Sequence, residues 1–388
     1  IVNSGREPVQ DNRALTVVAT QGGDAQFTLN GGAVDAGTYE YGLEHRGNDW
    51  VLAQKKRSAP TPDPNPAPKP DPTPKPEPKP VSNPILTPTA KSALNMFNAL
   101  PAAWYGELST LRQRMGEVRE SYGSGGAWIR LIGNESHVQP RDDSTYKQTQ
   151  SGFTVGIDSP HELENGQNLT GLLMGYSQSK MDLDNNSNGT INSFFVGGYS
   201  TWLLQDGWYI DTVAKANNFS SHAEVRMSNG VRTKGGFNTP GFGLSLEGGR
   251  QIKLDDGWFV EPSLQLSALW IDAAAYDYSN GLHTESKSSS AQQAGMNGVL
   301  GRTLELDNGM KLQPWIRAAV IQEFSDHNTV RINGNHFNND MSGTRTEYGA
   351  GLSAQITPFV QIYADASYSY SDKSESPLRG SLGSRWTF

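Results

Sequence analysis

The sequence predicts an all-β protein dominated by an antiparallel β-barrel of the outer-membrane type. Three observations point there: about twelve runs of apolar–polar alternation after residue 125, aromatic residues at the ends of those runs, and connections that alternate between tight turns and long polar loops. A soluble sandwich also alternates, so the period alone does not separate the two. The sorting of short and long connections does, because a sandwich has no reason for it.

The totals by themselves do not suggest a membrane protein. Hydrophobic residues make up 35% of the 388, mean hydropathy is −0.57, and no run of about 18 apolar residues exists to form a transmembrane helix. A net charge of −8, a pI near 5.4 and the lack of any Lys/Arg cluster exclude a nucleic-acid protein. The chain has no cysteine, which excludes disulfides and thiolate metal sites and suits passage through an oxidising compartment. Length allows two or three domains, and Ile1 opens in mid-pattern without a Met, so the chain reads as part of something longer.

Four regions follow in order. Residues 1–57 hold short β-rich runs ("ALTVVAT", "AQFTLN", "GTYEYGLE", "WVLAQ") between Gly, Asn and Asp turns. So few strands cannot bury much, and the piece reads as the end of a larger β structure. Residues 58–84 form a linker with proline at every even position from Pro60 to Pro80. That register forbids helix and leaves extended polyproline-like chain, reaching roughly 65 Å at about 3.1 Å per residue. Residues 85–122 are helical: "ELSTLRQRMGEVRES" puts Leu108, Leu111, Met115 and Val118 on one side. Pro101 suits the first turn of this helix or a kink in it, which predicts a helix over Pro101–Ser121, about 31 Å long, and a separate turn over Leu94–Leu100.

Residues 123–388 carry the barrel pattern. In "WFVEPSLQLSALW", Trp258, Val260, Pro262, Leu264, Leu266, Ala268 and Trp270 share one face, and Glu261, Ser263, Gln265 and Ser267 the other. "KLQPWIRAAVIQEF", "RTEYGAGLSAQI" and "FVQIYADASYSY" repeat the arrangement. Trp128, Trp202, Trp208, Trp258, Trp270 and Trp386 sit at strand ends as an interfacial girdle. "LQDG", "KLDDG", "LDNG" and "ITP" are tight turns. "NESHVQPRDDSTYK", "SHAEVRMSNGVRTKGG", "DAAAYDYSNGLHTESKSSS" and "SDHNTVRINGNHFNND" are long loops.

These residues resemble the translocator of pertactin-type autotransporters, which are type V secretion proteins. The carriers are "AAWYGELSTLRQRMGEVR" before the first strand, "GAWIR" opening it, "DGWFVEPSLQLS", "LQPWIRAAVIQEF", "GTRTEYGAGLSAQ", a last strand ending in Phe388, and "AQFTLNGGAVDAGTYEYGLEHRGNDWVLAQ" upstream. The resemblance covers essentially the whole chain. It implies a 12-stranded antiparallel outer-membrane β-barrel with an α-helical plug, preceded by the terminal rung of a β-helix passenger with an autochaperone role. The helix would run from the outside back to the periplasmic start of the first strand, crossing an apolar band of roughly 25 Å. The proline rod would hold the passenger off the surface.

The function implied is export and surface display of the protein's own N-terminal passenger, in the Gram-negative outer membrane with residues 1–57 at the cell surface. The alternative is a structural anchor of a surface adhesin with little role in transport. The partners implied are outer-membrane lipid, the barrel-assembly machinery (BAM) and periplasmic chaperones, for a monomeric barrel with no nucleic acid, cofactor or metal.

An ionisable side chain facing lipid is costly, about 2–4 kcal/mol at midplane for Arg or Lys. Asp211, Lys215, Glu261, Arg317, Arg345 and Glu347 are therefore expected to line the lumen and to pair with Arg112, Arg114 or Glu117 of the helix, closing the pore. Trp386 and Phe388 on the final strand resemble the signal read by the assembly machinery, since the last strand is an unpaired edge until closure. No catalytic motif for external substrates is present: "HELE" at His161–Glu164 lacks the second His of a zinc site, and the glycines of "GFGLSL" lie inside an alternating strand. In some autotransporters a helix asparagine cuts the chain after itself. Asn95 and Asn98 are the candidates here, although "SALNMFNALP" departs from the Asn-Asn junction of the serine-protease subfamily.

Overall fold

The computed structural model describes residues 3–8, 14–57, 84–121, 123–141, 144–307, 309–325 and 328–388. The proline rod expected within 58–84 lies outside the described residues apart from Pro84.

Twelve strands form one closed antiparallel sheet. In order they are Gly126–Arg141, Ser144–Leu163, Gly166–Leu183, Ser187–Leu204, Trp208–Arg226, Arg232–Arg250, Trp258–Ile271, Ser289–Arg302, Lys311–Glu323, Gly343–Thr357, Val360–Ser371 and Ser374–Thr387. Each pairs with its neighbour in sequence, and the twelfth closes on the first, from Thr387 opposite Gly126 to Ser374 opposite Val138. Closure removes both sheet edges, as an apolar membrane interior requires. Alternation dictates sidedness: in the seventh strand Trp258, Pro262, Leu264, Leu266 and Trp270 are exposed, whereas Glu261, Ser263 and Ser267 are buried.

The strands run 12–20 residues, more than the 9–11 or so that cross a bilayer, and the surplus stands outside. Two segments read as loops are consequently strand: the ladder continues to Arg141 and resumes at Ser144, and it continues to Arg226 and resumes at Arg232. Beyond the apolar band the outward face turns polar, as at His222, Glu224 and Arg226, while Ala223 and Val225 face inward, so the lipid-facing pattern that marks a strand reverses there. The other two long loops each fold into a hairpin, Ala274–Asp277 with His283–Ser286 and Thr329–Ile332 with Asn335–Asn338. The hairpins pair with each other as a second, four-stranded sheet over the mouth. Trp128 leaves the expected girdle. It shares parity with the inward Arg130, is 2% exposed, and donates from Nε1 to Tyr199 Oη at 2.7 Å.

The N-terminal region is a four-stranded sheet of Leu15–Val18, Val34–Ala36, Tyr39–Arg46 and Asp49–Gln54. It rests on the outer hairpins. Ser228 donates to both Asp35 carboxylate oxygens, Asn335 Nδ2 donates to Thr38 Oγ1 at 3.0 Å, and Asn333 Nδ2 donates to the Gly5 carbonyl at 2.7 Å.

The helical region differs from expectation. The long helix, α1, is Pro88–Glu107, and it runs through Pro101 instead of starting there. Thr87 caps it, accepting from Ala90 N at 3.2 Å, with Pro88 in the first turn. Twenty residues give about 30 Å of helix. The expected continuous helix to Ser121 is instead broken: α2 is Leu111–Met115 behind a Thr110/Gln113 capping box, Gly116 ends it at φ 70°, and one 3₁₀ turn, Val118–Ser121, follows. The break survives because wall side chains take over the orphaned backbone groups. Arg379 donates to the carbonyls of Tyr105, Gly106 and Leu108, and Glu247 Oε2 accepts from Leu111 N at 2.8 Å.

Candidate functional site: the occupied lumen

From the mouth inward, the helical segment is held first by apolar and neutral contacts. Phe97 packs against Phe237 at 4.8 Å and Tyr276 at 5.9 Å, and Ser92 shares a 3.2 Å hydrogen bond with Tyr278. Asn95 exchanges amide–hydroxyl hydrogen bonds with Ser144. Gln150 Nε2 donates to the Ala103 carbonyl at 2.8 Å. Approach to the wall is close. A Cβ on Gly243, in the "GFGLSL" strand, would stand 2.1 Å from Trp104 Cζ2, so glycine there admits the indole.

Midway down, the character changes to charge. Glu107, the last residue of α1, is buried and receives Lys215 Nζ at 2.5 Å, Asn217 Nδ2 at 2.8 Å and Ser177 Oγ at 2.7 Å. The Lys215 ammonium also lies 4.5 Å from the Phe195 ring centroid and 4.8 Å from that of Trp104. Cations at this level (Lys215, Arg130 and Arg379) surround the carbonyl end of α1, where the helix dipole favours them.

α2 and the turn after it sit in a ring of ion pairs. Arg114 binds Asp211 through both Nη groups at 2.9 and 2.7 Å. Arg112 Nη2 reaches Glu261 at 2.8 Å and Glu117 at 3.0 Å, while its Nη1 donates to Gln313. Arg119 bridges Glu117 at 3.0 Å and Glu261 at 3.3 Å. Tyr363 donates to the Arg114 carbonyl, and Gln361 Oε1 accepts from Glu117 N at 2.9 Å. Below them a buried Arg385–Asp158 pair, bidentate at 2.7 and 2.7 Å, closes the layer with Tyr199.

Five of the six lumen charges expected from sequence fall into three groups. Asp211 and Glu261 meet Arg114 and Arg112. Lys215 meets Glu107 instead of Glu117, because the helix breaks directly after Glu107 at that depth. Arg317 and Glu347 pair with each other across adjacent strands and not with the helical segment. The reason is eccentricity: α1 makes most of its wall contacts with the first five strands, and a crevice of about 220 Å3 remains beside Asn98 and Tyr105, lined among others by Val138 of the first strand, Ala291 of the eighth, and Arg345 and Glu347 of the tenth. Arg345 forms no ion pair among the described residues, and its Nε has no partner. Asn98 is 4% exposed with its Nδ2 unpartnered. Trp386 and Phe388 lie on the outer surface at the short-turn end, 44% and 71% exposed, where the Gly125 carbonyl accepts from Phe388 N at 3.1 Å.

Glu107, Glu247, Asp158, Arg130, Arg379 and Arg385 were not singled out from sequence. The strand residues among them share the inward parity, which is a usable signal. Glu107 had none, because nothing in the sequence tells which turn of the helix faces a lysine. No cluster of His, Cys, Asp and Glu with metal-holding geometry exists among the described residues, and no described helix is long and apolar enough to cross a membrane.

Against known families, residues 127–367 match the autotransporter β-domain and residues 1–54 match the pertactin family. The chain is 36% identical over its whole length to autotransporter CRAC of Citrobacter rodentium, of which it covers 24%, and 34% identical to the pertactin autotransporter of Bordetella bronchiseptica, of which it covers 44%. It thus spans less than half the length of these relatives. Among solved structures, the β domain of the Bordetella autotransporter BrkA aligns at a TM-score of 0.60 with 27% identity, covering 68% of this chain and all of that one. The transport unit of AIDA-I from Escherichia coli also aligns at 0.60, with 19% identity and coverage of 77% and 98%, a likeness of fold.

Proposed function

The chain belongs to the autotransporter β-domain family, a translocator that mediates passenger export through the Gram-negative outer membrane, and from that premise we propose how this one is arranged to work. In this reading the chain is in the state after export: the 85–122 segment closes the pore from within, residues 1–57 stand at the cell surface as the foot of the passenger, and residues 123–388 are the wall. One observation carries the reading. A single segment links the outer N-terminal sheet to the short-turn end of the first strand, and the wall binds it by buried pairs at Glu107, Arg112 and Arg114. Charges withdrawn from water are costly when left unpaired, and the wall supplies a partner to each of these three, so it is matched to this segment.

The passenger's own activity and targets belong to the rest of the protein. A relative named as an adhesin/invasin, TibA of Escherichia coli, is 35% identical over the whole chain. A retained, surface-displayed passenger is the second reading. It is favoured by the hydrogen bonds that tie Asp35, Thr38 and Gly5 to the outer hairpins.

Release, where it occurs, would run through Asn98 or Asn95. The side-chain amide nitrogen would bond to the residue's own carbonyl carbon, the following peptide bond would break, and the leaving nitrogen would take a proton. Asn98 is the better placed, since Ser144 holds the Asn95 amide. Assembly would use periplasmic chaperones and the barrel-assembly machinery, which would read the strand ending in Trp386 and Phe388, and would deliver a monomer. Electrophoresis of the full-length protein in outer membranes, heated and unheated, tests these points together. A heat-modifiable barrel with a separate passenger band that disappears in Asn98→Asp supports self-release. An uncut, surface-exposed chain supports the anchored reading, and a barrel that displays no passenger at all overturns the proposal.

A further inference from the structure

Two of the tight turns build the same unit, and nothing in pore closure or export uses it. In "QDGW" and "DDGW" the glycines, Gly207 and Gly257, are left-handed at φ 91° and 78°. Each glycine carbonyl accepts from the backbone N–H of the strand coming down beside it, Gln251 N at 3.0 Å and Thr303 N at 2.8 Å. A Cβ at either glycine would fall 2.3 or 2.4 Å from the facing carbonyl oxygen, so the turn admits only glycine. This fixes the register that sets Arg250 opposite Trp208 and Arg302 opposite Trp258.

The consequence is repeated in detail. Each guanidinium carbon lies 5.5 Å from its indole centroid. Arg250 Nε donates to the Asp206 carbonyl at 3.2 Å, and Arg302 Nε to the Asp256 carbonyl at 3.0 Å. The acceptor is a backbone oxygen in both cases, so the positive charge is oriented without being neutralised, and the Nη groups make no hydrogen bond among the described residues. Both tryptophans face outward at the end of the apolar band, 48% and 42% exposed. An oriented guanidinium with its Nη edge free, beside an indole at the headgroup level, matches a phosphodiester bidentately.

We propose that Arg250–Trp208 and Arg302–Trp258 are two equivalent binding sites for the phosphodiester headgroup of glycerophospholipids in the leaflet that meets the short turns. The third turn, "DNGMKL", has Met310 at the tryptophan position and so predicts no third site.

The test is native mass spectrometry of the full chain folded in detergent with added palmitoyl-oleoyl phosphatidylglycerol, and with the diacylglycerol of the same acyl chains as a phosphate-free probe. Folding of each variant is checked by heat-modifiability. The parent should retain two phosphatidylglycerol molecules, Arg250→Gln and Arg302→Gln one each, and the double variant none, with about tenfold weaker retention per lost site. Diacylglycerol retention should be the same in all four. Unchanged phosphatidylglycerol retention in the double variant overturns the proposal, and so does parallel loss of both lipids. The single variants are read independently, so the test stands if the double variant does not fold.

Discussion

Asp211→Ala removes both acceptors of the Arg114 fork and leaves its guanidinium, 4% exposed, without a counter-charge. Thr201 Oγ1, which donates to the same carboxylate at 2.6 Å, loses its partner as well. Breaking a buried pair from one side costs about 3–5 kcal/mol. At 1.4 kcal/mol per tenfold, that weakens seating of the α2 segment by a factor on the order of 10²–10³. The barrel should remain folded, because its ladder does not involve these side chains, so the loss should appear as transient opening. Single-channel recording of the refolded full chain in planar bilayers would read it, as openings that are rare in the parent and frequent in Asp211→Ala. Removing both charges, in Arg114→Met with Asp211→Ala, should recover most of the closure, since no unpaired charge is left behind. Closure in Asp211→Ala as firm as in the parent, or a double variant as leaky as the single changes combined, would refute the claim that the pair holds the segment in place.

Three further outcomes are expected. Deletion of residues 88–121 should make the barrel conduct continuously in the same assay, and Gly243→Val should raise conductance to a lesser degree, because its side chain meets Trp104 in place of open space, an overpacking cost of about 1–3 kcal/mol. Deleting Phe388 should slow assembly in cells while leaving detergent refolding nearly unchanged, and equal loss in both settings would assign the residue to stability alone. In the N-terminal sheet, burial raises the Glu40 carboxyl above its ordinary value despite the pull of Lys55. A raised carboxyl favours the folded state below the unfolded value and loses that advantage as pH rises through the folded one. Hydrogen exchange of Tyr39–Arg46 should therefore slow on acidification, after correction for intrinsic rates, and Glu40→Gln should abolish that dependence.

The barrel was legible because membrane physics writes it into every second residue: lipid demands apolar side chains outward, and the lumen tolerates Glu261 and Arg317 inward. The sorting of turn lengths and the "DGW" turns are equally local, as each is set by a few adjacent residues. Helical character within 85–122 was legible too, from "ELSTLRQRMGEVRES" and its neighbours.

What the sequence could not decide depends on surroundings. Pro101 reads as a helix start when only its own turn is considered. Enclosed by the wall, the helix runs through it. The break after Glu107 is held, beyond its local Thr110/Gln113 capping box, by Arg379 and Glu247, some 270 and 140 residues away, which satisfy the exposed backbone groups. Partner choice follows the same logic: Lys215 selects Glu107, and Arg317 selects Glu347, by depth and by the eccentric seat of α1. Periodicity fixes which way a side chain points, because that is a property of the backbone step. How deep it sits and what it faces are properties of the closed sheet, and only tertiary structure determines them.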